Sequence, residues 1–361
     1  MDRRSFLRTS ALGGVAATST ALAAPVYAQG NRTLTMVTSV PDGFAIFDDA
    51  ATMVANAITE MTDGQLTINK MPAGSLVGAF EVFDAVSSGQ ADLYHSAEYY
   101  FLNQHPAFAF FTSVPFGMTG VELLAWYYHK GGREHHHELA SLFNLKPFLA
   151  GNTSMQSGGW FNAEINSAED LQGLRFRMPG QGGQVLGRLG ASVQTIPGGE
   201  IYQALASGQI DGAEWIGPFA DERMGFQEVT SIYYTAGFHE PGSALALSMN
   251  MDVWNSLTSA QQRVVEAAAE ATHANNMGLS WAENGAALAR LQSAGVQVRE
   301  FPDDVWDAFG RGAAEVREEN MGDPIYAKIA NSYFAALAET SAWWEIGDGE
   351  YIRQRNRVNA A

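Results

Sequence analysis

Apolar and polar positions along this chain follow two rhythms in alternation. Thr33 to Val40 alternates apolar with hydroxyl residues, the period of a strand with one buried face, and Gln65 to Met71 reads as a second strand. Between them, Asp42 to Thr62 carries Phe44, Phe47, Ala51, Val54, Ile58 and Met61 at helical spacing, with Gly64 placed to stop the helix. Phe80 to Val86 is a second helix. Val121 to Asn144 gives two helical pieces broken at Gly131-Gly132, and Ser167-Ala-Glu-Asp170 is a capping turn ahead of Leu171. Strands are expected at 174–178, 230–237 and 243–250. An Ala-rich helix then runs from about Ser259 to Ser293, longer than most globular helices and long enough to span two lobes. A last strand at 296–301 and helices at 304–319 and 323–338 complete the pattern. Strands alternating with helices imply sheets covered on their faces, an α/β protein.

One phrase occurs twice. Residues 71–92 run Met-Pro-Ala-Gly-Ser to Phe-Asp-Ala-Val-Ser-Ser-Gly-Gln-Ala-Asp, and residues 196–211 run Ile-Pro-Gly-Gly-Glu to Tyr-Gln-Ala-Leu-Ala-Ser-Gly-Gln-Ile-Asp. Strand, Pro-Gly turn, helix, Ser-Gly-Gln-x-Asp and strand recur in the same order, which predicts two similar lobes. A cleft between such lobes is the usual place for a small ligand.

The first 28 residues change the picture. Arg3-Arg4 precedes a weakly apolar stretch, and Val26-Tyr27-Ala28 offers small residues for cleavage before Gln29. This is the pattern of a twin-arginine signal peptide, which implies export to the periplasm. The chain has a formal charge of −18. The leader sets Asp2 against Arg3, Arg4 and Arg8, so the remainder is more acidic still, which disfavours nucleic acid as a partner. The absence of cysteine excludes disulfides, thiolate metal sites and a cysteine nucleophile.

In so acidic a protein an anionic ligand needs a local cation. Leu174-Arg-Phe-Arg-Met-Pro-Gly180 alternates apolar residues with Arg175 and Arg177, one face on a core and the other bearing two guanidinium groups. Pro179-Gly180 ends the strand, which puts Arg177 near its carboxyl end, where open α/β sheets bind ligands. A guanidinium fixed there grips a carboxylate through two parallel hydrogen bonds; a surface salt bridge is the other reading of the same residues. After each copy of the repeat the chain delivers polar and aromatic residues: Tyr94-His-Ser-Ala-Glu-Tyr99-Tyr100-Phe101 and Glu214-Trp215-Ile-Gly-Pro218.

The twin-arginine leader, Leu171-x-Gly-Leu-x-x-Arg177-x-Pro179 and Gly208-x-Ile-Asp-Gly-Ala-Glu214 together resemble the solute-binding proteins of TRAP transporters, across essentially all of the chain after the leader. Glu214-Trp215-Ile-Gly-Pro218, Tyr233-Tyr234 and His239-Glu240-Pro-Gly242 are similar to the 2-oxoacid-binding, TakP-like subgroup. The resemblance implies a two-lobed periplasmic-binding-protein (Venus-flytrap) fold with a long lobe-spanning helix, no enzymatic chemistry, and delivery of ligand to a TRAP membrane permease. In it residues 29–151 form lobe I, completed by about 240–280, and residues 152–239 form lobe II, completed by about 281–338. Residues 339–361, with Trp343-Trp344, form a segment that exchanges between protomers of a homodimer. By the same resemblance Arg177 pairs with the ligand carboxylate and Tyr99 and Tyr100 line the pocket. A metal cation, sodium before calcium, is held by Gln156, Glu214, the Trp215 carbonyl and Glu240. The ligand would be a pyruvate-like 2-oxo or 2-hydroxy monocarboxylate, whose carboxylate and neighbouring oxygen chelate a hard cation that prefers oxygen ligands. Phe101-Leu-Asn-Gln104-His-Pro departs from the family's usual Gly-Lys stretch at this point.

Other motifs are weaker. His135-His136-His137 point about 100° apart on a helix, cannot all reach one ion, and read as a solvated helix face. Gly180-Gln-Gly182-Gly183 lacks dinucleotide-binding spacing. Asp221-Glu222 and Asp303-Asp304 read as helix N-terminal charge, and Trp254, Trp281 and Trp306 as core. Competing classes are a twin-arginine-exported enzyme, for which no cofactor fingerprint is present, and a binding protein for another carboxylate serving a different importer or a sensor.

Overall fold

The computed structural model describes residues 31–359, so the expected signal peptide lies outside the described residues. The chain first lays down β1 (Arg32–Thr38), β2 (Leu66–Met71), β3 (Leu93–Ser96) and β4 (Leu145–Asn152). It continues through β5 (Ser157–Phe161), β6 (Arg175–Arg177), β7 (Ser192–Gln194), β8 (Gly212–Ala213) and β9 (Ile232–Ala236), then β10 (Ala244–Asn250) and β11 (Gln297–Arg299). These strands form two sheets, one ordered β2-β1-β3-β10-β4 and the other β11-β9-β5-β8-β6-β7. The chain passes between the sheets from β4 to β5 through residues 153–156 and returns from β9 to β10 through residues 237–243.

The repeated phrase is a repeated structure. β1 pairs in parallel with both β2 and β3, and β6 pairs in parallel with both β7 and β8. α1 (Phe47–Met61) packs against β2, and α2 (Val82–Ser87) leads into β3. After α2, Gly89 takes φ +80° and the amides of Gln90 and Ala91 both donate to the Ala85 carbonyl. Gly208 takes φ +69° in the second copy, and Gln209 and Ile210 both donate to the Ala204 carbonyl. Only glycine enters that left-handed region without strain. The closing aspartates act alike: Asp92 accepts from the Thr35 amide at 2.7 Å and Asp211 from the Arg175 amide at 3.0 Å.

The broken helix at 121–144 is α3 (Gly120–His129) and α4 (Gly132–Ser141). α5 (Gly180–Arg188), α6 (Ile201–Ala206) and α7 (Pro218–Met224) belong to the second sheet's half, and α8 (Met251–Ser256) precedes α9 (Ser259–Ser293). α9 packs against β4 and α1 on one side and α7 on the other, so one continuous helix ties both halves. α10 (Asp303–Glu319) covers α5, and α11 (Pro324–Ile346) sends Tyr326 and Tyr333 into the core of the first half. α12 (Asp348–Asn359) buries nothing. Among the described residues, no helix is long and apolar enough to cross a membrane.

Several expectations are corrected. The helix expected from Asp42 starts at Phe47, because Ile46 sits at φ +70°, a region that β-branched residues avoid. The Asp49 carboxylate and the Asn276 side chain hold Ile46 there, accepting from its amide and donating to its carbonyl, both at 2.9 Å. The helix expected to stop at Ala338 continues to Ile346 and includes Trp343-Trp344. Trp281 is 72 % exposed and is not core; its place on the long helix faces solvent. His136 is fully buried, so the histidine triplet is not a solvated face. Phe101, in the segment that departs from the family pattern, packs into the first core, tilted against Phe83 and edge-on to Tyr94.

Candidate ligand-binding site

Arg175 and Arg177 lie on one face of β6 at different depths. Arg175, toward the start of the strand, is exposed and pairs with Asp211, and its Nη1 caps the Gly208 carbonyl at 2.7 Å. The salt-bridge reading therefore fits Arg175. Arg177, at the carboxyl end, is 1 % exposed, so its guanidinium faces an interior and not solvent. Its Nε donates to the Ile196 carbonyl at 3.0 Å. Its Nη1 donates to the Glu214 carbonyl at 3.2 Å and to the Glu214 carboxylate. Its Nη2 has only the Tyr100 hydroxyl, at 3.5 Å, and the guanidinium carbon lies 5.5 Å from the centre of the Trp215 ring.

Glu214 follows β8 directly and is fully buried. One carboxylate oxygen takes the arginine; the other accepts no hydrogen bond and lies 3.4 Å from His239 Nε2. Asp221 fixes the turn beyond it by accepting from the amides of Ile216 and Gly217, each at 3.0 Å, and from the Trp160 indole at 2.9 Å. Trp215 stacks on Phe47 of α1 with ring centres 6.1 Å apart, so its ring bridges the two halves.

The two crossing segments supply the rest. Gln156, between β4 and β5, donates its amide to the Glu240 carbonyl at 3.0 Å, and Glu240 lies on the return crossing. The Gln156 side-chain nitrogen is used by Thr153 Oγ1 at 3.0 Å, which leaves Oε1 buried without a donor. Glu240 accepts from the Ser243 hydroxyl at 2.5 Å. Burial, reinforced by the neighbouring Glu214 carboxylate, pushes Glu240 above the usual carboxylate range. Glu214, His239 and Glu240 each place one potential ligand atom within 4.8 Å of the others.

The third wall is the turn after β3. Tyr99 and Tyr100 meet edge to face at 4.9 Å, and burial raises both hydroxyls above their ordinary range, so they stay neutral. Tyr99 lies so close to Gly180, at the start of α5, that a Cβ there would stand 3.2 Å from the tyrosine ring. The structure thus gathers Tyr99, Tyr100, Arg177, Glu214, Trp215 and Glu240 into one largely buried cluster between the sheets, with Gln156 joined to it through its backbone bond to Glu240.

His239 belongs to this cleft and was not assigned from the sequence. Its ring lies in a cradle of glycines: a Cβ on Gly237 would stand 2.4 Å from it, and a Cβ on Gly182 2.6 Å from its Cβ. Its sequence signal is its place at the head of His239-Glu240-Pro-Gly242; nothing in the spacing places its ring beside Glu214.

The donor set fits a hard cation beside an anion. Buried oxygens of Gln156 and Glu214 lack donors, and hard cations bind oxygen. Arg177 Nη2, held only by a long contact, is a spare donor for a carboxylate.

A family model described as bacterial extracellular solute-binding protein, family 7 (DctP), matches residues 36–322. The monocarboxylate 2-oxoacid-binding periplasmic protein of Nostoc sp. is 36 % identical over 357 residues, 97 % of this chain and 98 % of the relative. A TRAP periplasmic solute-binding protein from Pseudoalteromonas atlantica, solved with sodium and pyruvate, is 37 % identical with a TM-score of 0.86, covering 90 % of this chain and 99 % of that one. Its counterpart from Colwellia psychrerythraea, solved with calcium and pyruvate, is 38 % identical with a TM-score of 0.87 over the same shares. The chain belongs to family 7 of the bacterial extracellular solute-binding proteins, the DctP receptors of TRAP transporters.

Proposed function

We propose that this receptor captures a small 2-oxo or 2-hydroxy monocarboxylate of pyruvate type together with a metal cation, performs no chemistry on it, and presents it to a TRAP membrane permease. One observation carries the reading: the same cleft has a spare arginine donor and spare buried acceptors on Gln156 and Glu214. Relatives solved with pyruvate and sodium or calcium support it.

In this reading Arg177 neutralises the ligand carboxylate. Gln156, Glu214, Glu240 and the Trp215 carbonyl would hold the cation, which supplies electrostatic binding to the carboxylate and the neighbouring oxo oxygen. Tyr99, Tyr100 and the Trp215 ring exclude water. Cleft closure is a population shift driven by contacts from both halves, the crossings at 153–156 and 237–243 acting as hinges. Lobe I comprises residues 29–151 with about 240–280, and lobe II residues 152–239 with about 281–338. Residues 1–28 are a twin-arginine leader and the receptor works in the periplasm, as the family's extracellular placement supports. Residues 339–361 mediate a homodimer: Trp343, Ile346, Tyr351 and Val358 are 60–70 % exposed on helices that leave the body of the fold.

Thermal unfolding with a ligand panel tests this. Pyruvate with sodium or calcium raises the midpoint, and propionate, which lacks the second chelating oxygen, leaves it unchanged. Equal stabilisation by propionate contradicts the chelate, and stabilisation by neither acid contradicts the ligand class. A monomeric mass by light scattering contradicts the dimer.

A further inference from the structure

Lobe I holds a buried polar network that the ligand reading leaves unused. Glu98, the first residue of the turn carrying Tyr99 and Tyr100, is fully buried. Its Oε1 accepts from the Tyr94 hydroxyl at 2.8 Å and the Ser248 hydroxyl at 3.0 Å, and its Oε2 contacts His136 Nε2 at 2.5 Å. A carboxylate only accepts, so Nε2 carries the proton and donates. His136 Nδ1 then accepts from the Tyr127 hydroxyl at 3.2 Å, and the imidazole stacks on Phe111 at 4.0 Å and 7°.

The main chain is tied as well. Thr112 Oγ1 accepts from the amides of Glu98 and Tyr99, at 2.8 and 3.3 Å. One side chain therefore joins β3, β10 and α4 at the point where the chain turns into the pocket wall. A fully satisfied buried network rigidifies what it holds, whereas a partly satisfied one is costly. Each polar group of this network has a partner, so it stiffens the turn directly behind the two tyrosines.

We propose that Glu98 and His136 are positioning residues for the ligand wall. They set the Tyr99–Tyr100 turn before ligand arrives, so that Tyr100 meets Arg177 and Tyr99 meets Gly180 as the halves close. The inference rests on the reading of this cleft as the ligand site. It concerns residues that do not touch ligand, and that distinguishes it from the assignment of the pocket itself.

The test uses the full receptor with pyruvate and either sodium or calcium, in wild type, Glu98→Gln, His136→Gln and Ser248→Ala. Calorimetry well below each variant's unfolding midpoint gives affinity, and thermal unfolding gives stability separately. Glu98→Gln and His136→Gln are expected to weaken binding at least tenfold. Their effects shrink when combined with Tyr100→Phe, because both act through the same wall. Ser248→Ala, which removes a single donor, weakens binding about threefold and carries the test if the other variants do not fold. Affinity within twofold of wild type despite lowered stability, or losses that multiply with Tyr100→Phe, overturns the proposal. A fluorine label on Tyr100, read by NMR in the ligand-free protein, tests positioning directly. Its resonance shifts or splits in Ser248→Ala and Glu98→Gln if the network sets the wall, and an unchanged line in both overturns the proposal. Failure of wild type to bind pyruvate contradicts the ligand reading alone, and the fluorine line still decides the positioning.

Discussion

Replacing Arg177 with methionine removes the guanidinium and keeps most of its length. The residue is 1 % exposed and its principal partner, the Glu214 carboxylate, is fully buried. Deleting one member of a buried ion pair leaves the other charge uncompensated, a loss of about 3–5 kcal/mol. The carbonyls of Ile196 and Glu214 lose their donor at the same time. Such a loss is a large part of the ~5–15 kcal/mol that holds a domain folded. Arg177→Met should therefore shift the urea midpoint strongly in chelator and potassium buffer, where neither sodium nor calcium is present to substitute for the arginine. The double variant Arg177→Met/Glu214→Gln removes both charges and should recover half or more of the loss, a coupling of about 2 kcal/mol or larger, as contacting residues show. Tryptophan fluorescence during urea unfolding measures all four corners of the cycle. A single-variant loss below ~1 kcal/mol, or a double variant that loses the full sum, would refute a buried, mutually compensating pair.

The remaining predictions concern pH, cation choice and the pocket wall. Burial lowers His95 to about 4 and His273 to about 4, against 6.5 for the free side chain. The unfolded chain thus binds more protons between pH 6.5 and 4, and stability present above 6.5 is lost on acidification, by up to about 3 kcal/mol per histidine at ~1.4 kcal/mol per pH unit. Burial raises the carboxyls of Asp221 and Glu240 to about 7, which acts in the opposite direction. The slope of the urea midpoint from pH 7 to 4 is therefore compared between wild type and His273→Gln, and an unchanged slope contradicts the histidine contribution. With Arg177 positive, Glu214 and a monocarboxylate negative, and Glu240 giving up its proton on ligating the cation, a divalent cation brings the filled site nearest neutrality. Glu240→Gln should therefore move the preference from calcium toward sodium in competition titrations, and an unchanged ratio places Glu240 outside the cation's reach. A Cβ on Gly198 would stand 2.4 Å from the Trp215 ring. Gly198→Ala should displace that ring and weaken pyruvate binding about tenfold at modest cost in stability; unaltered affinity removes the ring from the wall.

Much of this architecture is visible in the sequence because local rules and burial agree. The long helix matches its expected bounds, Ser259–Ser293: Thr258 and Gln261 form a capping box at its start, and Gly295 follows its end. The doubled phrase was legible because a glycine at positive φ and an aspartate accepting from a strand amide leave no freedom in residue type. What was not legible depends on three-dimensional neighbours. Periodicity placed Arg175 and Arg177 together, yet depth along the strand separates an exposed salt bridge from a buried guanidinium. His136 looks polar from its sequence neighbours, and its burial follows from Glu98, 38 residues earlier. The helix start after Ile46 is set by Asn276, 230 residues away. His239 is invisible as a site residue until the return crossing is folded against Glu214.

The most direct test of the central claim is calorimetric titration of the metal-stripped receptor with pyruvate, first in potassium buffer with chelator and then with sodium or calcium, in wild type and Arg177→Met. The account predicts heat and one-to-one binding only when sodium or calcium is present, and none in the variant. Tight binding in chelator would contradict the cation's role and with it the assignment of Gln156 and Glu214. The absence of binding in wild type under every condition would contradict the ligand class itself.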